Sequence, residues 1–181
     1  MWIKNFVKKI LFRRNKKDEV ELARSIGVKV GKNCNIYDDA KVVFHTEPYL
    51  VRLGNNVTIA PEVRFLTHEG SIGVLRVLEE YKTADCFAPI IVGDNVFIGL
   101  RSIIMPGVHI GNNVVVGAQS IVTKNIPDNT VVVGAPARVL CSIEDFKNKI
   151  IQSDKYIVPT KGMTPEQKKR YLSDHFPEWF S

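Results

Sequence analysis

Few side chains in this chain can do chemistry near neutral pH, and the best placed stand around residue 68. Four histidines are present, and His is the side chain suited to general-base work at that pH. His68, within Leu66-Thr67-His68-Glu69, lies where a repeating pattern gives way to an irregular segment. His109 reads as an outward surface residue, His45 as part of a non-repeating bend that could line a pocket, and His175 as part of a tail helix. A base works best when its second ring nitrogen is held by an acceptor. Adjacent Glu69 is the first candidate, Glu47 the second and Asp85 the third, and a backbone carbonyl would also serve. The histidines lack the spacing of a three-His metal site, so no metal is expected. Cys34, Cys86 and Cys141 are odd in number and lack CxxC spacing, so they read as reduced thiols of a cytosolic protein.

The elements that must position these groups declare themselves by a period of six. Val92, Ile98, Ile104, Ile110, Val116 and Val122 recur at that spacing, and Val96, Ser102, Val108, Val114, Ser120 and Ile126 follow each at offset four. Neither a helix nor an ordinary strand explains a six-residue repeat. It predicts an all-β solenoid of stacked short parallel strands whose apolar faces make one continuous core. Gly and Asn at Gly54-Asn55-Asn56, Gly93-Asp94-Asn95 and Gly111-Asn112-Asn113 are expected at the corners, where positive φ must be tolerated. A weaker upstream copy runs through Val30, Ile36, Val42, Leu53, Ile59 and Phe65, and residues 66–91 interrupt the period.

The flanks read as helices. Asp18 is the expected N-cap of a helix over residues 18–26 that Gly27 stops. Ser142 opens a helix to about residue 153, and Thr164-Pro165-Glu166-Gln167 is a capping box leading a helix to about residue 175. These helices are expected to cap the open end that the last coil of the solenoid leaves, with Trp179 and Phe180 as an apolar plug. The organisation is therefore a helical segment over 1–27, a coil domain over 28–140 with an inserted loop at 69–90, and a helical extension over 141–181.

Charge is unevenly placed. The chain carries a net +6, yet residues 1–17 hold seven Lys/Arg and no acid, leaving 18 basic against 19 acidic residues elsewhere. Trp2, Ile3, Phe6, Val7, Ile10 and Leu11 share one helical face with the lysines opposite. Such a helix either packs on the protein body or lies at an anionic membrane surface. Eighteen consecutive apolar residues occur nowhere, no secretory cleavage signal follows the tail, and no nucleic-acid-binding fold is recognisable.

The stretch IVGDNVFIGLRSIIMPGVHIGNNVVVGAQSIVTKNIPDNTVVVGAPARV, with EPYLVRLGNNVTIAPEVRFLTHEGS upstream, resembles the hexapeptide-repeat acyltransferases. The branch it is most similar to contains maltose and galactoside acetyltransferases and the O-acetyltransferases of capsule and O-antigen synthesis. The resemblance covers residues 26–140. It implies a left-handed parallel β-helix, a homotrimer with sites between subunits, and acetyl-CoA as co-substrate. It implies His68 as the catalytic base, and Phe97, Leu100, Ala118, Ser120, Thr123, Lys124 and Arg138 as the donor site. Lys124 and Arg138 would meet the nucleotide phosphates, and the Leu100 N–H the thioester oxygen. The galactoside branch carries Trp where Phe97 stands and a second Arg where Cys141 stands. Loop 69–90 is expected to set acceptor choice, with Glu47, Tyr81 and Asp85 as substrate-binding candidates. The implied activity is transfer of an acetyl group to a sugar hydroxyl of a cell-surface polysaccharide precursor, in the cytoplasm or at the inner membrane face. Acetylation of an amino sugar nucleotide or an antibiotic is the alternative. A γ-class carbonic anhydrase would need three metal-binding histidines, and a non-catalytic scaffold would lack the His68, Lys124 and Arg138 set.

Overall fold

Ile91 pairs with His109, Val96 with Val114 and Ile103 with Ile121, each 18 residues apart, so three hexapeptides make one full turn of the chain. The computed structural model describes residues 16–152 and 158–181. The chain visits three parallel sheets in turn. The first contains β1 (Lys29–Val30), β3 (Val51–Leu53), β6 (Ile90–Val92) and β9 (His109–Ile110). The second contains β2 (Asn35–Ile36), β4 (Thr58–Ile59), β7 (Val96–Ile98), β10 (Val114–Val116), β12 (Thr130–Val133) and β13 (Arg138–Ser142). The third contains β5 (Arg64–Phe65), β8 (Ile103–Ile104) and β11 (Ile121–Val122).

The repeat residues face inward as their spacing predicts. Ile98, Ile104, Ile110, Val116 and Val122 are fully buried, as are Ser102 and Ser120 at offset four. Burying each branched aliphatic contributes about 1.5–3 kcal/mol, so the stacked column supplies most of the driving force. The upstream copy departs at one turn. Val42 is 42% exposed, because residues there form α2 (Ala40–Phe44) in place of a strand. Asp39 caps that helix by accepting from the Lys41 N–H at 2.9 Å, and the helical period buries Val43 and Phe44 instead.

The corners divide two tasks that the sequence pattern assigns jointly to Gly and Asn. Positive φ is taken by Asn33, Asn56, Asn95, Asn113 and Asn129. The neighbouring glycines permit close stacking: a Cβ on Gly54 would lie 2.6 Å from Gly93 O, and one on Gly93 would lie 2.8 Å from Gly111 O. Asn and Asp side chains then tie one turn to the next. Asn55 N donates to Asp94 Oδ1 (2.7 Å), Asp94 N to Asn112 Oδ1 (2.8 Å) and Asn112 N to Asp128 Oδ1 (2.7 Å). The Asn112 backbone and side-chain donors hold the Asp128 carboxyl below its usual range.

The two ends of the coil are finished differently. Helix α1 (Lys16–Ser25) begins two residues before the expected Asp18 cap, and its Glu19 accepts from the Ala40 N–H at 2.9 Å. At the other end, β13 runs antiparallel to β12, so a strand rather than a helix closes the edge of the second sheet. The chain divides into two compact units, one through Asp145 and one from Phe146 to Ser181. Ser142 accepts from the Asp145 N–H at the start of α3 (Ile143–Gln152), as its type predicts. In the second unit Thr164 and Gln167 form the expected capping box of α4 (Pro165–His175). The amphipathic pattern of residues 1–17 lies outside the described residues except for its last two positions, which open α1. Among the described residues no helix is long and apolar enough to cross a membrane.

Candidate active site

Between β5 and β6 the period breaks. Arg64 pairs with Ile103, 39 residues on, because 21 extra residues leave the coil at the corner between the third and first sheets. The excursion starts at Thr67 and His68 and returns through Phe87 and Ala88. His68 bridges Phe87 in antiparallel fashion, Glu69 N donates to Cys86 O (2.9 Å) and Ala88 N to Thr67 O (3.0 Å). These bonds fix both ends of the loop and set the Phe87 ring edge-on to the imidazole, with centroids 6.2 Å apart.

At this corner Glu47 Oε2 lies 2.9 Å from His68 Nδ1 and accepts from Thr67 Oγ1 at 2.8 Å. The Thr46 hydroxyl is 3.4 Å from the same ring nitrogen. The His68 side chain is 43% exposed and that of Glu47 only 15%. Partial burial alone would raise the Glu47 carboxyl. Hydrogen bonds from Thr46, His68 and Thr67 outweigh it and hold the group below its usual range. A persistent carboxylate accepts the Nδ1 proton, which leaves Nε2 as the basic nitrogen of the neutral ring.

This overturns the first choice of orienting acid. Glu69 caps the loop segment that follows it, its carboxylate accepting from the Ser71 N–H at 3.1 Å, and those bonds lower its own carboxyl. Adjacency in sequence was misleading because a side chain beginning an irregular segment meets the backbone ahead of it. Thr46 and Thr67 were missed; the signal available was two hydroxyl residues immediately preceding the acid and the His. Asp85 pairs with Arg76, whose Nε also donates to Ala84 O at 3.0 Å, so it braces the loop instead of standing free for a ligand. Tyr81 closes a short 3-10 turn (Glu79–Tyr81) and is 40% exposed.

The donor-site residues separate into two groups by register. Leu100 and Ala118 stack at the corner between the second and third sheets, where Gln119 N donates to Leu100 O at 2.7 Å. The N–H groups of Leu100 and Ala118 have no protein acceptor among the described residues. Phe97, just before this corner, is 44% exposed. Thr123 and Lys124 follow β11 and are exposed at the same corner as His68, two turns away. Arg138 opens β13 and is exposed, with Ala137 N anchored on Ile121 O at 2.8 Å. Ser120 must be withdrawn as a ligand-contacting side chain. It is fully buried, and its hydroxyl accepts from the Gly134 N–H at 3.1 Å. Its place in the inward period outweighs its polarity. Among the described residues no group of His, Cys, Asp or Glu is arranged to hold a metal ion.

Comparison with known proteins agrees with this architecture. Residues 89–124 match the family model described as a hexapeptide repeat of succinyl-transferase. The chain is 43% identical to protein CapG of Staphylococcus aureus over 97% of its own length and 98% of that protein. It is 30% identical to a galactoside O-acetyltransferase of Lactococcus lactis, covering 77% of this chain and 74% of the relative. The crystal structure of a maltose O-acetyltransferase from Clostridium difficile superposes with a TM-score of 0.50 at 31% identity, covering 76% of this chain and 84% of that one. With an 18-residue, three-sheet turn and one match that runs nearly end to end, the chain belongs to the hexapeptide-repeat acyltransferases and is an acyltransferase enzyme.

Proposed function

We propose that this protein transfers the acetyl group of acetyl-CoA directly to a hydroxyl of a sugar, with His68 as general base. The observation that carries the reading is the 2.9 Å contact between His68 Nδ1 and a carboxylate held below its usual range. In that arrangement Glu47 keeps the proton on Nδ1, and Nε2 accepts the acceptor hydroxyl's proton as its oxygen attacks the thioester carbonyl. The same nitrogen returns the proton to the departing thiolate, and Glu47 stabilises the imidazolium between the two steps. The free N–H groups of Leu100 and Ala118 fit an oxyanion and an amide-rich pantetheine arm, and exposed Lys124 and Arg138 fit nucleotide phosphates.

The site is completed by neighbouring copies in a homotrimer. His68 and Leu100 occupy opposite edges of the third sheet, a span of about 20 Å for six extended residues. One chain therefore cannot bring both to one reacting carbon. The outward side of that sheet carries Ile103 and Ile121, only partly buried, as an interface would. Joining two different corners is a heterologous contact, and a ring of three closes it. The left-handed sense of the β-helix belongs to this reading through the family. So does a role in cell-surface polysaccharide synthesis in the cytoplasm: the named relatives act on galactosides and maltose, and segments EPYLV and FLTHEGS resemble capsule and O-antigen enzymes. The seven-cation segment 1–17 would hold the enzyme peripherally at an anionic membrane where such precursors are made.

Thiol release from acetyl-CoA, measured with sugar, amino-sugar and antibiotic acceptors, tests the activity. O-acetylation of a hexoside is the expected product, and an N-acetylated product alone would replace the reading. Sedimentation should give a trimer, and a fully active monomer would refute the shared site.

A further inference from the structure

Beyond the reacting centre, the first sheet carries two cations that no acidic side chain among the described residues neutralises. Lys29 on β1 and Arg52 on β3 are direct register partners on adjacent parallel strands. Both are exposed, while Val51 and Leu53 on either side of Arg52 are buried, so Arg52 stands outward. Like charges one strand spacing apart, about 4.8 Å, repel each other. Five other described arginines are paired with carboxylates. Arg24 meets Glu21, Arg64 meets Asp38, Arg76 meets Asp85, Arg101 meets Glu62 and Arg170 meets Asp174. Among the described arginines only Arg52 and Arg138 have no carboxylate partner, and Arg138 already has a proposed phosphate to meet.

Arg52 lies on the acceptor's side of the site. It is five residues from Glu47, whose carboxylate holds His68, and Tyr49 stands between them, 62% exposed with its Cβ seated over Gly27 of the turn below. Tyr49 lies in a 3-10 turn (Pro48–Leu50) that leads into β3, three residues from Arg52 and so at most about 10 Å away along the chain, within the reach of one hexose and an attached phosphate. From the base outward the surface therefore offers an imidazole, an aromatic face and two adjacent cations. Aromatic faces take sugar rings, and paired Lys and Arg donors take phosphate oxygens.

We propose that Lys29 and Arg52 form an anion subsite for the acceptor, and that the sugar acetylated by this enzyme carries a phosphate or diphosphate at its far end. The proposal rests on the sugar O-acetyltransferase reading and narrows its substrate to glycosyl phosphates. Acetyl transfer is compared for a methyl hexoside, the hexose 1-phosphate and a nucleoside-diphosphate hexose, in the wild type and in Lys29→Gln, Arg52→Gln and the double variant. Both positions are exposed, so the variants should keep their Tm. The wild type should favour the phosphorylated sugars. The double variant should raise their KM about 10- to 100-fold, the loss expected for charge-assisted contacts, with the methyl hexoside and acetyl-CoA constants within about twofold. Equal gain for both phosphorylated sugars assigns recognition to the phosphate itself, whether a nucleotide or a lipid carries it in the cell. An unchanged preference in the double variant, or an equal KM rise for the neutral sugar, would overturn the proposal. If the wild type acetylates no sugar, the activity reading fails separately. Calorimetry with inorganic pyrophosphate then judges the subsite: binding lost in the double variant upholds it, and binding independent of Lys29 and Arg52 removes it.

Discussion

Two corners of the same coil handle polar side chains in opposite ways. Between the first and second sheets, Asn55, Asp94, Asn112 and Asp128 form a ladder in which backbone N–H groups of one turn donate to side chains of the next, and Asn95, Asn113 and Asn129 link through their amides. Between the third and first sheets a single such rung is present, His109 N to Asn125 Oδ1, and one turn earlier the chain leaves the coil at Thr67 and returns at Ala88. There the carboxylate of Glu47 is engaged by a neighbouring hydroxyl and an imidazole. At the ladder corner the repeat satisfies its Asn and Asp side chains with their counterparts one turn away. A break in the repeat brings unlike side chains together, and unlike pairs such as His and Glu are what proton transfer needs.

The contrast breaks most sharply at the base. His68→Ala should lower turnover by about 10²- to 10⁴-fold with Tm nearly unchanged, read from steady-state kinetics beside thermal unfolding. Inside the buried column of the repeat the balance reverses. Ile104→Ala, in the fully buried column, should remove about 2–5 kcal/mol of stability while the folded fraction keeps its specific activity. Denaturant titration checks this, and a variant of unaltered stability would contradict the stacked core. Ser120→Ala should act as a core substitution too, destabilising by about 1–3 kcal/mol because the Gly134 N–H loses its acceptor. A raised KM for acetyl-CoA with normal stability would instead return Ser120 to the donor site.

A smaller effect separates the two acids beside His68. Glu47→Gln should cut kcat about tenfold, as removal of an orienting acceptor costs roughly one hydrogen bond's worth, and Glu69→Gln should stay within about twofold. Reversal of that order would restore Glu69 as the partner. The Glu47 carboxyl is held below its usual range, so what its ionised form contributes is fully present above the unfolded-state pKa. It is lost only as pH falls through the lower folded value. The advantage of wild type over Glu47→Gln should therefore hold at neutral pH and shrink only in acid, and a ratio of the two kcat values that does not change with pH would contradict it.

Residues repeated in register are legible from spacing alone. The interval from Val92 to Val122 fixes which side chains are inward, since each position sees copies of itself above and below, and the end caps at Ser142 and Thr164 depend on neighbours two or three residues away. The sequence also singled out His68, because a chemically apt residue at the edge of a repeat is visible as a pattern change. Tertiary structure decided the rest. Glu47 reaches His68 across 21 residues of separation, and Glu69, one residue away, turns to its own loop. Ser120 stands in the inward offset-four column and also among the donor-site positions that the resemblance implies, and its hydroxyl is buried against the Gly134 N–H. Val42 kept the six-residue phase but lies on a helix. In each case periodicity names the face a residue takes inside the repeat. Outside it, the partner is chosen by which distant backbone the winding chain brings within hydrogen-bond range, and no local spacing encodes that.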